Sequence, residues 1–101
     1  MSEFASSVRF IAKQGKSEQL LLRLKAFELP TGALSHVVVK TGPQSFLTFL
    51  SWREEADLVA ARPAMIAFLD TVRDLLDVIS PTLGVTDPAS GPVLFHVKAE
   101  G

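Results

Sequence analysis

Apolar and polar residues alternate in two stretches near the ends of the chain, residues 7–13 and 93–98. The first stretch places Val8 and Phe10 on one side and Arg9 on the other. Neighbouring side chains of a β-strand point to opposite faces, so this period of two predicts a strand in each stretch. The proline- and glycine-rich residues 87–92 predict a loop before the last strand, and residues 82–86 predict a short extra strand.

Apolar residues at steps of three and four predict helices in two regions. The first helix is predicted from Ser17, as its N-cap, to about Glu28. The longest helix is predicted from a stripe that ends before Ser80-Pro81 and consists of Met65, Phe68, Leu69, Val72, Leu75, Leu76 and Ile79.

The region before the long stripe predicts a shorter helical segment. Ser51 followed by Glu54 is a capping-box pattern, which predicts that a helix begins near Arg53 and runs to Ala61. Proline lacks the backbone N–H of a helix interior, so Pro63 predicts a break or kink before the long stripe.

Two further strands are predicted in the middle of the chain. Residues 34–40 and 45–52 are short, apolar and partly β-branched, and residues 41–44 between them form a turn. The predicted order is strand, helix, strand, strand, helix, strand. This is the ferredoxin-like α+β plan, an antiparallel sheet with both helices on one face.

Apolar residues on both faces of the predicted strands indicate a second copy of the chain. Phe46, Leu50 and Trp52 lie on one side of the third strand, and Leu47 and Phe49 lie on the other. An exposed apolar sheet face marks an interface, and closed twofold dimers are the commonest soluble oligomers. We therefore expect a homodimer.

Composition and charge narrow the class of protein. The 101 residues are expected to form one domain (residues 1–101), with 48% apolar and 21% charged residues, as in soluble globular proteins. A net charge of −1 offers no basic surface for nucleic acid. Neither a membrane span nor a signal peptide is recognisable, which predicts a cytoplasmic protein without a membrane partner. Without cysteine and with two histidines, we expect no metal site.

One segment in the middle of the chain carries a family resemblance. It consists of Phe46-Leu47-Thr48-Phe49-Leu50-Ser51-Trp52-Arg53-Glu54-Glu55-Ala56-Asp57-Leu58-Val59-Ala60-Ala61-Arg62-Pro63, with Phe68-Leu69 and Leu75-Leu76 after it. This segment resembles the central signature of antibiotic biosynthesis monooxygenases. That signature is a strand ending in Trp, an acidic helix start, an Ala-Leu pair, a Pro and an amphipathic helix. With the first strand and first helix, the resemblance covers roughly residues 7–86. It implies a dimeric α+β barrel with an apolar cavity between sheet and helices.

The resemblance also implies a chemistry. The best-known enzymes of this family oxygenate phenolic or quinol-like compounds without a metal or flavin cofactor, because the electron-rich substrate anion itself reacts with oxygen. The chain departs from the family at Ala60 and Ala61, where many members carry a histidine, and it contains no tyrosine. Heme degradation would need a Trp and a His on the helices, and it is disfavoured because Trp52 is the single tryptophan and neither histidine is predicted on a helix.

Candidate site residues follow from side-chain chemistry. His36 and His96 lie in predicted strands among apolar residues, where burial keeps imidazole neutral and able to accept a phenolic proton. Trp52 has the ring and N–H to stack on and orient an aromatic substrate, and Arg9 has the charge to pair with a substrate oxyanion. The candidate wall of an apolar pocket consists of Phe10, Phe46, Phe49, Met65 and Phe68.

Each candidate residue has a second interpretation in which it is structural. Trp52 and the phenylalanines equally suit a core, the histidines an interface or a surface, and Arg9 a solvated charge. Two functions therefore stay open. The first is a cofactor-independent monooxygenase of small aromatic or quinol-like compounds, and the second is a non-catalytic dimeric module that binds an apolar small molecule or a protein.

Overall fold

The computed structural model describes residues 3–99 and shows one four-stranded sheet with two helices. The elements in chain order are β1 (Phe4–Ile11), α1 (Ser17–Ala26), β2 (Ala33–Lys40), β3 (Ser45–Trp52), α2 (Glu55–Val72), a 3-10 turn (Arg73–Leu75) and β4 (Asp87–Pro92). All strand pairs are antiparallel, in the spatial order β2-β3-β1-β4. The predicted ferredoxin-like fold is confirmed.

Both helices cover the same face of the sheet. The register pairs Phe10 with Phe46 and Phe4 with Trp52, so these four side chains point to one side of the two central strands. Leu20 and Leu24 of α1 join Phe10 and Phe46 in one buried cluster, and Leu58 and Ala61 of α2 join Phe4 and Trp52 in a second. Burial of these apolar side chains is the main force that holds the helices on the sheet.

The opening strand and the helix starts differ from the sequence predictions. β1 begins at Phe4 rather than residue 7, because its pairing with β3 extends to Trp52. Ser17 is the first residue of α1 instead of its cap, and its hydroxyl donates to the carbonyl of Pro43 at 3.1 Å. The capping box is also wrong, since Ser51 lies within β3 and α2 begins at Glu55.

Helix α2 continues through Pro63, so the predicted break is wrong. A proline in a helix interior removes the hydrogen bond to the carbonyl four residues earlier, here that of Val59. Val59 lies on the exposed side of the helix. The helix then ends at Val72, before the predicted Ile79. Leu76 stays buried because it forms a bridge with Ala12, next to the end of β1.

The last strand lies in the segment that was predicted as a loop. β4 is Asp87–Pro92, whereas residues 93–98 form no strand and residues 82–86 form only turns and an isolated bridge. β4 is an edge strand that pairs with β1 on one side. Proline is tolerated at an edge because its missing N–H costs no ladder bond when it faces outward. Tertiary pairing therefore overrides the local sequence signal.

The opposite face of the sheet, the outer face, has no helix over it. Its central residues Val37, Val39 and Phe49 are 49%, 40% and 42% exposed. Val37 pairs with Phe49 across β2 and β3, which makes the apolar patch continuous. The expectation of apolar residues on both faces of the sheet is confirmed. Within residues 3–99, no helix is both long enough and apolar enough to cross a membrane.

Candidate functional site

A cavity of about 320 Å³ lies between the sheet and the helices. It is lined by Val8, Phe10, Leu24, Phe27, His36, Thr48, Leu50, Arg62, Met65, Ile66, Phe68, Leu69, Thr86 and Pro88. The strands supply the floor, α2 supplies most of one wall, and the end of α1 and the start of β4 complete it. Its size and apolar lining suit a small flat ligand.

The period of two along the strands decides which side chains reach this cavity. The register pairs His36 with Leu50, and Thr48 with both Val8 and Val38, so all these residues face the helices. The spacing of α2 adds Met65, Phe68 and Leu69, which recur at steps of three and four. Alternation on the strands and helical spacing therefore converge on one apolar chamber.

His36 is the residue in this wall whose charge changes near neutral pH. Burial lowers the pKa of His36 from its ordinary value of 6.5, because the apolar surroundings disfavour the charged imidazolium. Its ring meets Phe27 edge to face, with ring centroids 5.6 Å apart. A neutral imidazole held against an apolar cavity can accept a proton from a bound acid.

Thr48 is already engaged in a hydrogen bond. Its side chain is buried and its hydroxyl donates to the carbonyl of Val8 at 3.2 Å. The hydroxyl oxygen still has acceptor capacity toward the cavity. Thr48 thus contributes a weak acceptor, while Arg62 contributes the only formal charge among the lining residues of the described chain.

The structure brings four of the predicted site residues together at this cavity. Phe10, Met65, Phe68 and His36 all line it. Phe46 lies in the buried cluster below Phe10 and does not line the cavity.

The other predicted site residues lie elsewhere. Trp52 is completely buried at the far end of the sheet, and its indole N–H donates to the hydroxyl of Ser6 at 3.0 Å. Phe49 is on the outer face. Arg9 is also on that face and forms an ion pair with Asp87 at 3.2 Å.

His96 lies beyond β4 in the exposed segment that was predicted as a strand. Its Nδ1 is 3.8 Å from a carboxylate oxygen of Glu3, and its side chain is exposed. It is not among the residues that line the cavity, so the two histidines occupy different environments.

Ten of the lining residues were not predicted as site residues, and among them are Phe27, Thr48 and Arg62. Thr48 and Arg62 have visible signals, a polar residue on the apolar side of β3 and a charge between apolar helical positions. Phe27 lies within the first helix as predicted, from Ser17 to about Glu28, whereas α1 ends at Ala26 and leaves Phe27 just beyond it.

Comparisons with known proteins support this fold. No protein-family model matches the chain, and no curated protein matches it. Among solved structures, a protein of unknown function from Nitrosomonas europaea is 23% identical, with a TM-score of 0.76 over 100% of this chain and 98% of the other. At this identity the likeness establishes a shared fold.

Two other structures bear on function and assembly. SnoaB, a cofactor-independent oxygenase from Streptomyces nogalater, is 14% identical with a TM-score of 0.71, over 98% of this chain and 100% of the other. A dimeric ferredoxin-like protein from an uncultured marine organism is 10% identical with a TM-score of 0.73, over 99% and 95%. Further structures of this fold are named as candidate antibiotic biosynthesis monooxygenases, which supports the resemblance found in the sequence.

Proposed function

We propose that the protein is a cofactor-independent monooxygenase that oxidises a small aromatic or quinol-like compound in this cavity. The observation that carries the proposal is His36, a base with a lowered pKa in the wall of a mostly apolar cavity of about 320 Å³. The likeness of the fold to that of a cofactor-independent oxygenase from Streptomyces nogalater supports it.

The reaction starts with proton transfer. Neutral His36 accepts the phenolic proton, and the resulting phenolate is electron-rich enough to pass electrons to O₂. One oxygen atom enters the ring as a quinone oxygen. The other leaves as water, formed with the displaced ring hydrogen and the phenolic proton. The apolar walls shield part of the anion from bulk water, and Phe10 and Phe68 provide surfaces on which a flat ring can pack.

The protonation state of His36 sets the expected pH dependence. The base is active when neutral, so the rate should fall only when the pH drops below the lowered pKa of His36, which lies under 6.5. Well above pH 6.5 the ionisation of His36 should no longer affect the rate.

Oxygen labelling tests the proposal directly. The protein is incubated under ¹⁸O₂ with 1,5-dihydroxynaphthalene, which has a ring hydrogen para to each hydroxyl, and the product is analysed by mass spectrometry. One labelled atom per quinone is expected, at a rate that His36→Ala lowers by roughly 10²-fold or more, the usual contribution of a general base. The matched control is His96→Ala, which removes the exposed histidine outside the cavity and should leave the rate unchanged. Equal rates for the two variants would show that His36 is not the base.

A second candidate function is binding without catalysis. It is favoured by the absence of tyrosine and by Ala60 and Ala61 at helical positions where many of the resembled enzymes carry histidine. In that case the same dihydroxynaphthalene should bind in the cavity without consumption of oxygen. An oxygen electrode combined with a binding titration separates the two functions.

We also infer that the active form is a homodimer in which the outer faces of two sheets pack together. The apolar patch of Val37, Val39 and Phe49 is too exposed for a face that stays in water. The dimeric ferredoxin-like protein of the same fold supports this arrangement.

The mass in solution tests the dimer. Light scattering should give twice the 10.9 kDa of the chain. Phe49→Lys buries a charge in the proposed interface and should shift the mass toward the monomer. Leu22→Lys is the control, because Leu22 is equally apolar and 66% exposed but lies on α1. A wild-type protein of monomer mass at high concentration contradicts the homodimer.

A further inference from the structure

Arg62 is the one charged side chain among those of residues 3–99 that line the cavity. Within residues 3–99 no Asp or Glu lines it, and the lowered pKa of His36 favours its neutral form. The cavity therefore carries a positive charge with no negative group in its wall. Arg62 is exposed as well as lining the cavity, so its charge lies at the solvent-facing edge of the cavity and acts on a ligand through direct hydrogen bonds.

No carboxylate within the described part of the chain neutralises Arg62. Three other arginines each contact an aspartate at 3.2 Å or less, in the pairs Arg9–Asp87, Arg53–Asp57 and Arg73–Asp70. Arg62 forms no ion pair and no side-chain hydrogen bond within residues 3–99. Its guanidinium donors are thus available to a ligand.

The neighbours of Arg62 on α2 explain why it has no internal partner. Residues three and four positions away on a helix lie next to each other, and at those positions this chain has Leu58, Val59, Met65 and Ile66. Two of them, Met65 and Ile66, line the cavity with Arg62. A guanidinium set in an apolar wall suits a ligand that is itself apolar apart from one anionic group.

We propose that the cavity selects a flat apolar ligand with a single acidic group, and that Arg62 binds the anion. The planar guanidinium donates two parallel hydrogen bonds to a carboxylate and at least one to a phenolate or enolate oxygen. The inference rests on the proposed function in one respect, that a ligand occupies this cavity, and it names the class of that ligand. Arg62 would also stabilise the phenolate that proton transfer to His36 creates.

Two fluorescent probes with the same ring system test the inference. Anilinonaphthalene sulfonate carries one negative charge, and phenylnaphthylamine is its neutral counterpart. The wild type should bind both probes. Arg62→Gln should weaken the affinity for the sulfonate about tenfold, the value of one charge-assisted hydrogen bond, and leave that for the amine within about twofold. Arg23→Gln, which removes an exposed arginine of α1 outside the cavity, should change neither affinity.

The outcomes distinguish this inference from the proposed function. Equal sulfonate affinities for Arg62→Gln and Arg23→Gln would overturn the role of Arg62 while the cavity still binds the neutral probe. If neither probe binds the wild type, the cavity admits no flat apolar ligand and the proposed function fails as well. Circular dichroism of both variants confirms that each is folded before the affinities are compared.

Discussion

The imidazole of His36 meets the ring of Phe27 edge to face, with centroids 5.6 Å apart and ring planes at 70°. Phe27 in turn meets Phe68 at 4.9 Å with planes at 60°. Phe27 follows α1, His36 lies on β2 and Phe68 lies on α2, so two aromatic contacts join three elements at the cavity wall. Edge-to-face geometry stabilises such pairs and orients the imidazole toward the apolar chamber.

Removal of the Phe27 ring should expose the imidazole of His36 to water. We expect Phe27→Leu to lower the free energy of unfolding by about 1 kcal/mol and to move the pKa of His36 back toward 6.5, because water reaches the imidazole. NMR titration of the imidazole signals measures the pKa. Phe95→Leu is the control, since it removes an aromatic ring that is 80% exposed and does not line the cavity. A pKa of His36 that stays the same in Phe27→Leu contradicts the packing role.

Stability should depend on pH through His36. The pKa of His36 is lower in the folded protein than its ordinary 6.5, so the unfolded chain binds this proton more tightly. The free energy of unfolding therefore rises with pH between the lowered pKa and 6.5, and this contribution is lost as the pH falls through that window. Urea denaturation from about pH 5 to about pH 8 should show the rise in the wild type and not in His36→Gln. If the free energies of unfolding of the wild type and His36→Gln differ by the same amount at every pH, the prediction is wrong.

Ser6→Ala should destabilise the protein through Trp52. The Trp52 indole N–H is fully buried and donates to the Ser6 hydroxyl at 3.0 Å, so the variant leaves a buried donor without a partner. Such a loss costs about 1–3 kcal/mol. Urea denaturation followed by fluorescence measures it, because Trp52 is the single tryptophan. Ser7→Ala, on the outer face, is the control and should stay within about 0.5 kcal/mol of the wild type. Equal losses for both variants would exclude a special role of this hydrogen bond.

Pro63→Ala should stabilise the protein. Pro63 lies inside α2, where proline lowers the free energy of unfolding by about 3 kcal/mol. Proline also restricts the unfolded chain, which raises the free energy of unfolding by about 1 kcal/mol. The net gain is about 2 kcal/mol in the free energy of unfolding, measured by urea denaturation. Ala64→Gly, at the adjacent position, should lower it by about 1 kcal/mol and verifies that the site responds to helix propensity. No gain from Pro63→Ala would show that α2 is adapted to the proline at this point.

The order of the elements was readable from the sequence because it depends on local periodicity. The period of two in residues 45–52 and the helical spacing of Leu20 and Leu24 are properties of neighbouring residues. They predicted β3 with its observed bounds and the buried face of α1. The resemblance to antibiotic biosynthesis monooxygenases also rested on this stretch of strand and helix, and the comparisons support it through the fold.

The position of β4 and the residue at which α2 ends could not be predicted from the sequence, because both depend on tertiary structure. Asp87–Pro92 has the composition of a loop, yet it forms a strand because β1 offers an edge to pair with. Residues 93–98 alternate as a strand should, but Leu94 and Phe95 are 87% and 80% exposed because no strand of the described chain lies beside them. Strand formation depends on partners distant in sequence, and no local pattern contains that information.

The sequence by itself determined which side chains are available to this site, and tertiary structure decided which of them meet. Phe10, Phe46 and Phe49 are the same residue type on neighbouring strands. Phe10 lines the cavity, Phe46 fills the core and Phe49 lies on the outer face. His36 and His96 both looked like strand residues, and only His36 lies in the wall. The physical reason is that periodicity assigns a residue to a face of its own element, whereas a cavity forms where several elements fail to fill the space between them.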